Sequence, residues 1–93
     1  MKKMSMTDLQ KSSESLKAMG HPLRIRIIRI LGRELMSVGE LAWACETSSP
    51  TMSTHLRLLN DRGIVKKQRQ GRKVFYRLAA PVYGRIVDCL GSG

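Results

Sequence analysis

Residues 37–65, "SVGELAWACETSSPTMSTHLRLLNDRGIV", decide how this chain folds. Ser37 and Glu40 have the spacing of a capping box, in which each side chain satisfies a backbone N–H at the start of a helix. Val38, Leu41, Ala42 and Cys45 then share one helical face, so a helix is expected to reach about Cys45. "ETSS" is a polar turn. Ser49-Pro50 pairs a capping residue with proline at the first helical position, where the missing N–H costs nothing. Met52, Leu56 and Leu59 recur at i, i+4 and i+7, the stripe of a second helix that runs to about Arg62. Gly63 ends it, as glycine commonly does. Two short helices joined by a tight turn are the result.

The flanks extend the pattern. Thr7 to Met19 reads as a helix with Thr7 as cap and an imperfect stripe of Leu9, Leu16 and Met19; residues 1–6 before it are expected to be disordered. Gly20-His21-Pro22 breaks the chain, with His21 a loop residue or cap and Pro22 in the first turn of the next helix. "LRIRIIRIL" (residues 23–31) alternates like a strand until Ile27-Ile28 breaks the period of two. Ile27, Leu31 and Leu35, with Ile28 and Ile30 beside them, make a helical face, and Arg26, Arg29 and Arg33 fall opposite. Arg24 sits on the apolar side, where an internal charge-assisted bond suits it better than an outside contact. Beyond Gly63, Ile64–Gln68 and Lys73–Leu78 are strand-like runs joined by a charged, glycine-containing turn. A last helix spans roughly Pro81 to Leu90, with Val82, Ile86, Val87 and Leu90 available for packing. The fold class is mainly α with a small β-hairpin: a winged helix-turn-helix of about five helices plus a two-stranded wing, as one domain over residues 1–93.

Charge says what such a shape is for. Seventeen Lys and Arg against seven Asp and Glu give a net charge of +10. Eight of those cations and no acid lie between Asp61 and Asp88, and six fall within the fourteen residues 65–78. Concentration of this kind points to a polyanionic partner rather than to solubility alone. With four aromatic residues the core must be built from Ile, Leu, Val and Met. Two cysteines, Cys45 and Cys89, make no disulfide framework. The N-terminus has no apolar h-region, and no apolar run approaches the roughly 18 residues of a membrane span, so the reading is a cytoplasmic protein without a membrane partner. No Ser/His/acid set, carboxylate pair or phosphate-cradling glycine loop suggests an enzyme, and no cofactor is implied.

A helix about 10–12 Å across fits the major groove of duplex DNA, and a basic hairpin can lie on the flanking phosphates or the adjacent minor groove. Opposite Met52, Leu56 and Leu59 the second helix presents Pro50, Thr54, Arg57 and Asp61, flanked by Thr51 and Ser53. Small hydroxyl residues and one Arg are what base edges and phosphates require. The candidate contacts are Ser49, Thr51, Ser53, Thr54, His55 and Arg57 on the helix, with Lys66, Arg69, Gln70, Arg72 and Lys73 in the hairpin. His55 lies close to the Leu56 face, so a packing or hydrogen-bonding role is equally open to it. Trp43, opposite the buried face of its helix, is either partly exposed or covered by another element.

"HPLRIRIIRIL", the stretch 37–65 and "GRKVFYRL" resemble, in order and spacing, the ArsR/SmtB family of bacterial and archaeal transcriptional repressors, over about Leu16 to Leu90. The resemblance implies a homodimer through the first and last helices, a DNA-reading helix from Ser49, a wing tip at Gln70-Gly71-Arg72, and an inducer that releases a double-stranded operator. The family's inducer sites transfer poorly. Ser37 and Gly39 stand where many members carry a thiolate pair for soft ions, and the last helix offers Asp88 and Cys89 without His, so no metal is expected. Members that sense sulfide or oxidants pair a second-helix Cys, matched here by Arg29, with one near the C-terminus. Cys89 remains a candidate for a thiol- or redox-responsive role, and Cys45, in a core stripe, a weaker one. Two other readings stay open. A non-specific architectural DNA- or RNA-binding protein would use the same basic surface, although single-strand binders rely on exposed aromatic platforms and only Phe75 and Tyr76 lie in the basic region. A winged helix used for protein contacts would not need a cationic face.

Overall fold

The computed structural model describes residues 16–90. The expected disorder at 1–6, the Thr7 cap and Leu9 lie outside the described residues. Residues 16–18 are helical and close the first expected helix, with Ala18 and Met19 buried behind them. Helix α1 is Pro22–Leu31. His21 caps it: its Nδ1 accepts from the Leu23 N–H at 3.1 Å, and Pro22 occupies the first position. Ile27, Ile28 and Leu31 are its buried face. Leu35 lies beyond the helix end, in the connector, so the apolar face stops one turn short of the expected one. The connector has its own anchor, since Met36 and Tyr76 exchange backbone hydrogen bonds of 3.3 and 2.7 Å.

Helix α2 is Val38–Ala44, and the capping box at its start is complete. The Ser37 N–H donates to Glu40 Oε1 at 2.9 Å, and the Glu40 N–H donates to Ser37 Oγ at 3.2 Å. The Ser37 N–H, and after it the Ser37 hydroxyl, hold the Glu40 carboxyl pKa below the ordinary range. Helix α3 is Ser49–Asp61. Its cap is Ser48, one residue earlier than the expected Ser49, and Pro50 moves to the second helical position. Either serine has the right chemistry; the length of the turn from α2 decides which hydroxyl meets the Thr51 N–H, here at 3.2 Å.

Both helices end alike. After α2 the N–H groups of Glu46 and Thr47 donate to the carbonyls of Trp43 and Ala42; after α3 those of Gly63 and Ile64 donate to Asn60 and Leu59. Each is a paired-bond terminus with its turning residue in the left-handed region, Glu46 at φ 54° and Gly63 at φ 73°.

Strands β1 (Val65–Gln70) and β2 (Lys73–Leu78) pair antiparallel, Val65 opposite Leu78 through Gln70 opposite Lys73. The first strand thus begins one residue after the expected Ile64 and extends two past Gln68. Its loop is the dipeptide Gly71-Arg72, with Gly71 at φ 65° meeting the positive φ that a tight hairpin loop demands. Helix α4, Pro81–Leu90, packs on α1 and β2 and buries Val87. The core sits where these elements meet: Ile27, Leu41, Met52, Leu56, Ile64 and Val87 have no exposed surface. It holds α2, α3 and the base of the hairpin in one frame, which aims the exposed side of α3 and the wing.

Candidate nucleic-acid interface

Burial of Met52, Leu56 and Leu59 orients α3, and helical periodicity then places Ser49, Thr51, Ser53, Thr54 and Arg57 in solvent. The hydroxyls are not equivalent. Thr54 Oγ1 donates its hydrogen to the Pro50 carbonyl at 3.1 Å, so what remains facing outward is acceptor capacity and a methyl group. The Ser48 hydroxyl donates to Thr51 Oγ1 at 2.9 Å, which leaves the Thr51 hydrogen free to donate. Ser48 itself was missed from sequence, hidden by the choice between adjacent serines.

His55 is half-buried. Its Nδ1 accepts from Arg24 Nε at 3.3 Å, and its ring lies 4.9 Å from that of His21 at 51°. The hydrogen-bonding role therefore occupies this edge of the ring, leaving Nε2 as the position for the proton of the neutral imidazole. Burial, then the neighbouring His21 and Arg24, lower the His55 pKa. Arg24 also donates from a terminal guanidinium nitrogen to the Ala18 carbonyl at 3.2 Å, the internal role expected of it.

In the hairpin, side chains alternate between faces. Val65 and Tyr76 are buried on the inner face; Lys66, Arg69, Gln70, Arg72 and Lys73 are all exposed. The register sets Lys66 directly opposite Arg77, also exposed. Like charges facing across a ladder repel, and an anion laid along them removes the repulsion. Arg77 is absent from the sequence-derived contacts because only the register reveals its partner. Lys73, at the foot of the loop, also bears electrostatically on Glu40 at the start of α2.

Outside this surface, Trp43 is 86% exposed, which resolves its two readings in favour of solvent. Cys45 is buried, and burial pushes its thiol pKa up against the opposing charge of Arg26; Cys89 is exposed. Arg29 Nε stands 4.0 Å from Asp88 Oδ1, linking α1 to α4. Among the described residues no three His, Cys, Asp or Glu side chains gather as a metal site would require. Nor is any helix among them long and apolar enough to cross a membrane.

A helix-turn-helix domain family matches residues 19–68, the span from the end of the first helix into β1. The biofilm growth-associated repressor of Agrobacterium fabrum is 36% identical over 75 residues, covering 81% of this chain and 64% of its own length. The transcriptional repressor SmtB homolog of Synechocystis is 37% identical over 76 residues, covering 82% of this chain and 58% of its own. The solved homodimeric winged helix-turn-helix DNA-binding domain of Mycobacterium bovis superposes with a TM-score of 0.83 at 25% identity, over 97% of this chain and 86% of that one. The chain belongs to the ArsR/SmtB family. It spans about 64% and 58% of the first two curated relatives' lengths. ArsR/SmtB proteins are DNA-binding transcription regulators, a class distinct from enzymes.

Within the ArsR/SmtB frame, Ser37 stands where the resemblance matches one of the soft-ion thiolates, and here its Oγ is engaged in capping α2. Arg29 stands where it matches the second-helix cysteine of the thiol sensors, and it meets Asp88, the neighbour of Cys89.

Proposed function

We propose that this protein is a cytoplasmic, sequence-specific repressor that binds a double-stranded DNA operator as a homodimer and is released by an inducer. The observation that carries this reading is the exposed face of α3, with Thr51, Thr54 and Arg57 beside a wing whose Lys66 and Arg77 stand opposed. In the major groove Thr54 offers an acceptor to the amino group of adenine or cytosine and its methyl to thymine, while Arg57 reaches a guanine edge or a phosphate. Arg69, Arg72 and Lys73 hold phosphates and set register without reading sequence. Leu16, Val82 and Leu90, 52%, 41% and 56% exposed, supply apolar surface on the first and last helices for a second copy. The A. fabrum repressor and the M. bovis homodimer support the functional class and the assembly.

Affinity for the chain's own promoter and for random duplex, each over a salt series, tests the reading. Arg72→Ala should weaken both duplexes together and reduce the salt slope by about one. Thr54→Ala should cost about 1–3 kcal/mol on the operator and much less on random DNA. Absence of operator preference at every salt concentration would replace this reading with architectural binding.

A further inference from the structure

One concave surface takes no residue from α3 or the hairpin. Between α1 and α2 is a cleft of about 390 Å³ whose apolar lining is Ile30, Met36 and Ala44. Ile30 and Met36 pack against the core from this side, so the lining is held by the fold. Three guanidiniums border the cleft: Arg26 and Arg29, three residues apart on α1, and Arg33 just beyond its end. Among the described residues, the one carboxylate within ion-pairing range of any of them is Asp88, 4.0 Å from Arg29. Glu34 also lines the cleft. Three cations against Glu34 and Asp88 leave one positive charge uncompensated. Like charges three or four residues apart on a helix repel, and a bound anion relieves that repulsion. Neither α3 nor the hairpin contributes to the lining, so the cleft is separate from the surface assigned to DNA. Its volume falls in the range of small-molecule sites, which combine apolar walls with a few convergent polar groups.

We propose that this cleft binds a small organic monoanion with an apolar body, of the chemistry of a medium-chain carboxylate: the head between the guanidiniums, the chain along Ile30, Met36 and Ala44. Both parts of the ligand are needed. A short carboxylate leaves the apolar lining wet, and a neutral chain leaves the excess charge unmatched.

Calorimetric titration of the full chain with sodium octanoate, and with acetate and octan-1-ol at the same ionic strength, separates these terms. Octanoate should saturate with one site per chain, and acetate and octan-1-ol should each bind at least about tenfold more weakly. The double variant R26A/R33A removes two exposed cations and should lose about tenfold in octanoate affinity, with its thermal melt unchanged or slightly raised by the lost repulsion. Amide chemical shifts should move at Ile30, Met36 and Ala44 in the wild type and not at α3. Equal binding of octan-1-ol, unchanged octanoate affinity in the double variant, or shifts confined to other surfaces would overturn the proposal. So would a uniform loss of DNA affinity with a shallower salt slope in the double variant, which would make these arginines phosphate contacts.

Discussion

His55 stands on α3 between the buried stripe and the exposed face, and Arg24 governs how its ring is used. Burial, and after it the neighbouring His21 and Arg24, hold the His55 pKa below its ordinary range. As pH falls the unfolded chain takes up this proton first, so the stability His55 contributes is fully present above about pH 6.5 and is lost as pH drops through the lowered native value. His55→Asn places a non-titrating acceptor near the position of Nδ1. The melting temperature should therefore fall less in this variant than in wild type between about pH 7.5 and about pH 5. A steeper fall in the variant would show that other groups dominate. The two thiols differ through burial in the same way. Iodoacetamide should modify exposed Cys89 before Cys45, whose thiolate is disfavoured by its surroundings. Peptide mass spectrometry at short times reads the order, and faster modification of Cys45 would reverse it.

At the scale of elements, the two helices of the DNA-binding motif end in the same hydrogen-bonded geometry with different residues at the left-handed position. A side chain there costs about 1–2 kcal/mol, offset in part by the extra freedom glycine has when unfolded. Glu46→Gly should thus stabilise the protein by roughly 0.5 kcal/mol, and Gly63→Ala should destabilise it by a similar or larger amount. Thermal melts should shift in opposite directions, by about 2–4 °C for each 0.5 kcal/mol in a domain this small. Equal signs would mean that the side chain of Glu46 makes up for its backbone. Gly63 was readable from the sequence because glycine announces its conformation. Glu46 was not, because nothing in a glutamate marks φ 54°; the short turn between α2 and α3 imposes it. The exchange of Ser48 for Ser49 as cap has the same origin.

For the molecule as a whole, the described chain leaves apolar side chains uncovered at Leu16, Val82 and Leu90 while Val87, on the same last helix, is fully buried. A second copy covering them would stabilise the folded state by mass action. The melting temperature should therefore rise with protein concentration, and sedimentation equilibrium at micromolar concentration should give twice the chain mass. Leu90→Glu, at a site 56% exposed in the single chain, should return the protein to one chain mass while leaving it folded. A monomer that binds operator as tightly as the wild type would contradict assembly through these helices.

Periodicity carried most of the fold into the sequence. Capping at Ser37, proline at 22 and 50, glycine at 63 and 71, and the stripe of Met52, Leu56 and Leu59 each express a local rule, and a local rule needs no partner to be read. The exposed face of α3 followed from the same stripe, since whatever is opposite a buried row faces solvent. Tertiary structure decided what depends on two segments meeting. Strand register set Arg77 across from Lys66. A hydrogen bond between α1 and α3 joined Arg24 to His55, and the approach of α4 to α1 set Asp88 beside Arg29. The gap between α1 and α2 turned three arginines, legible in sequence only as a polar face, into the border of a cleft with an apolar lining. Those residues are separated along the chain, and no rule of spacing states that they will be neighbours.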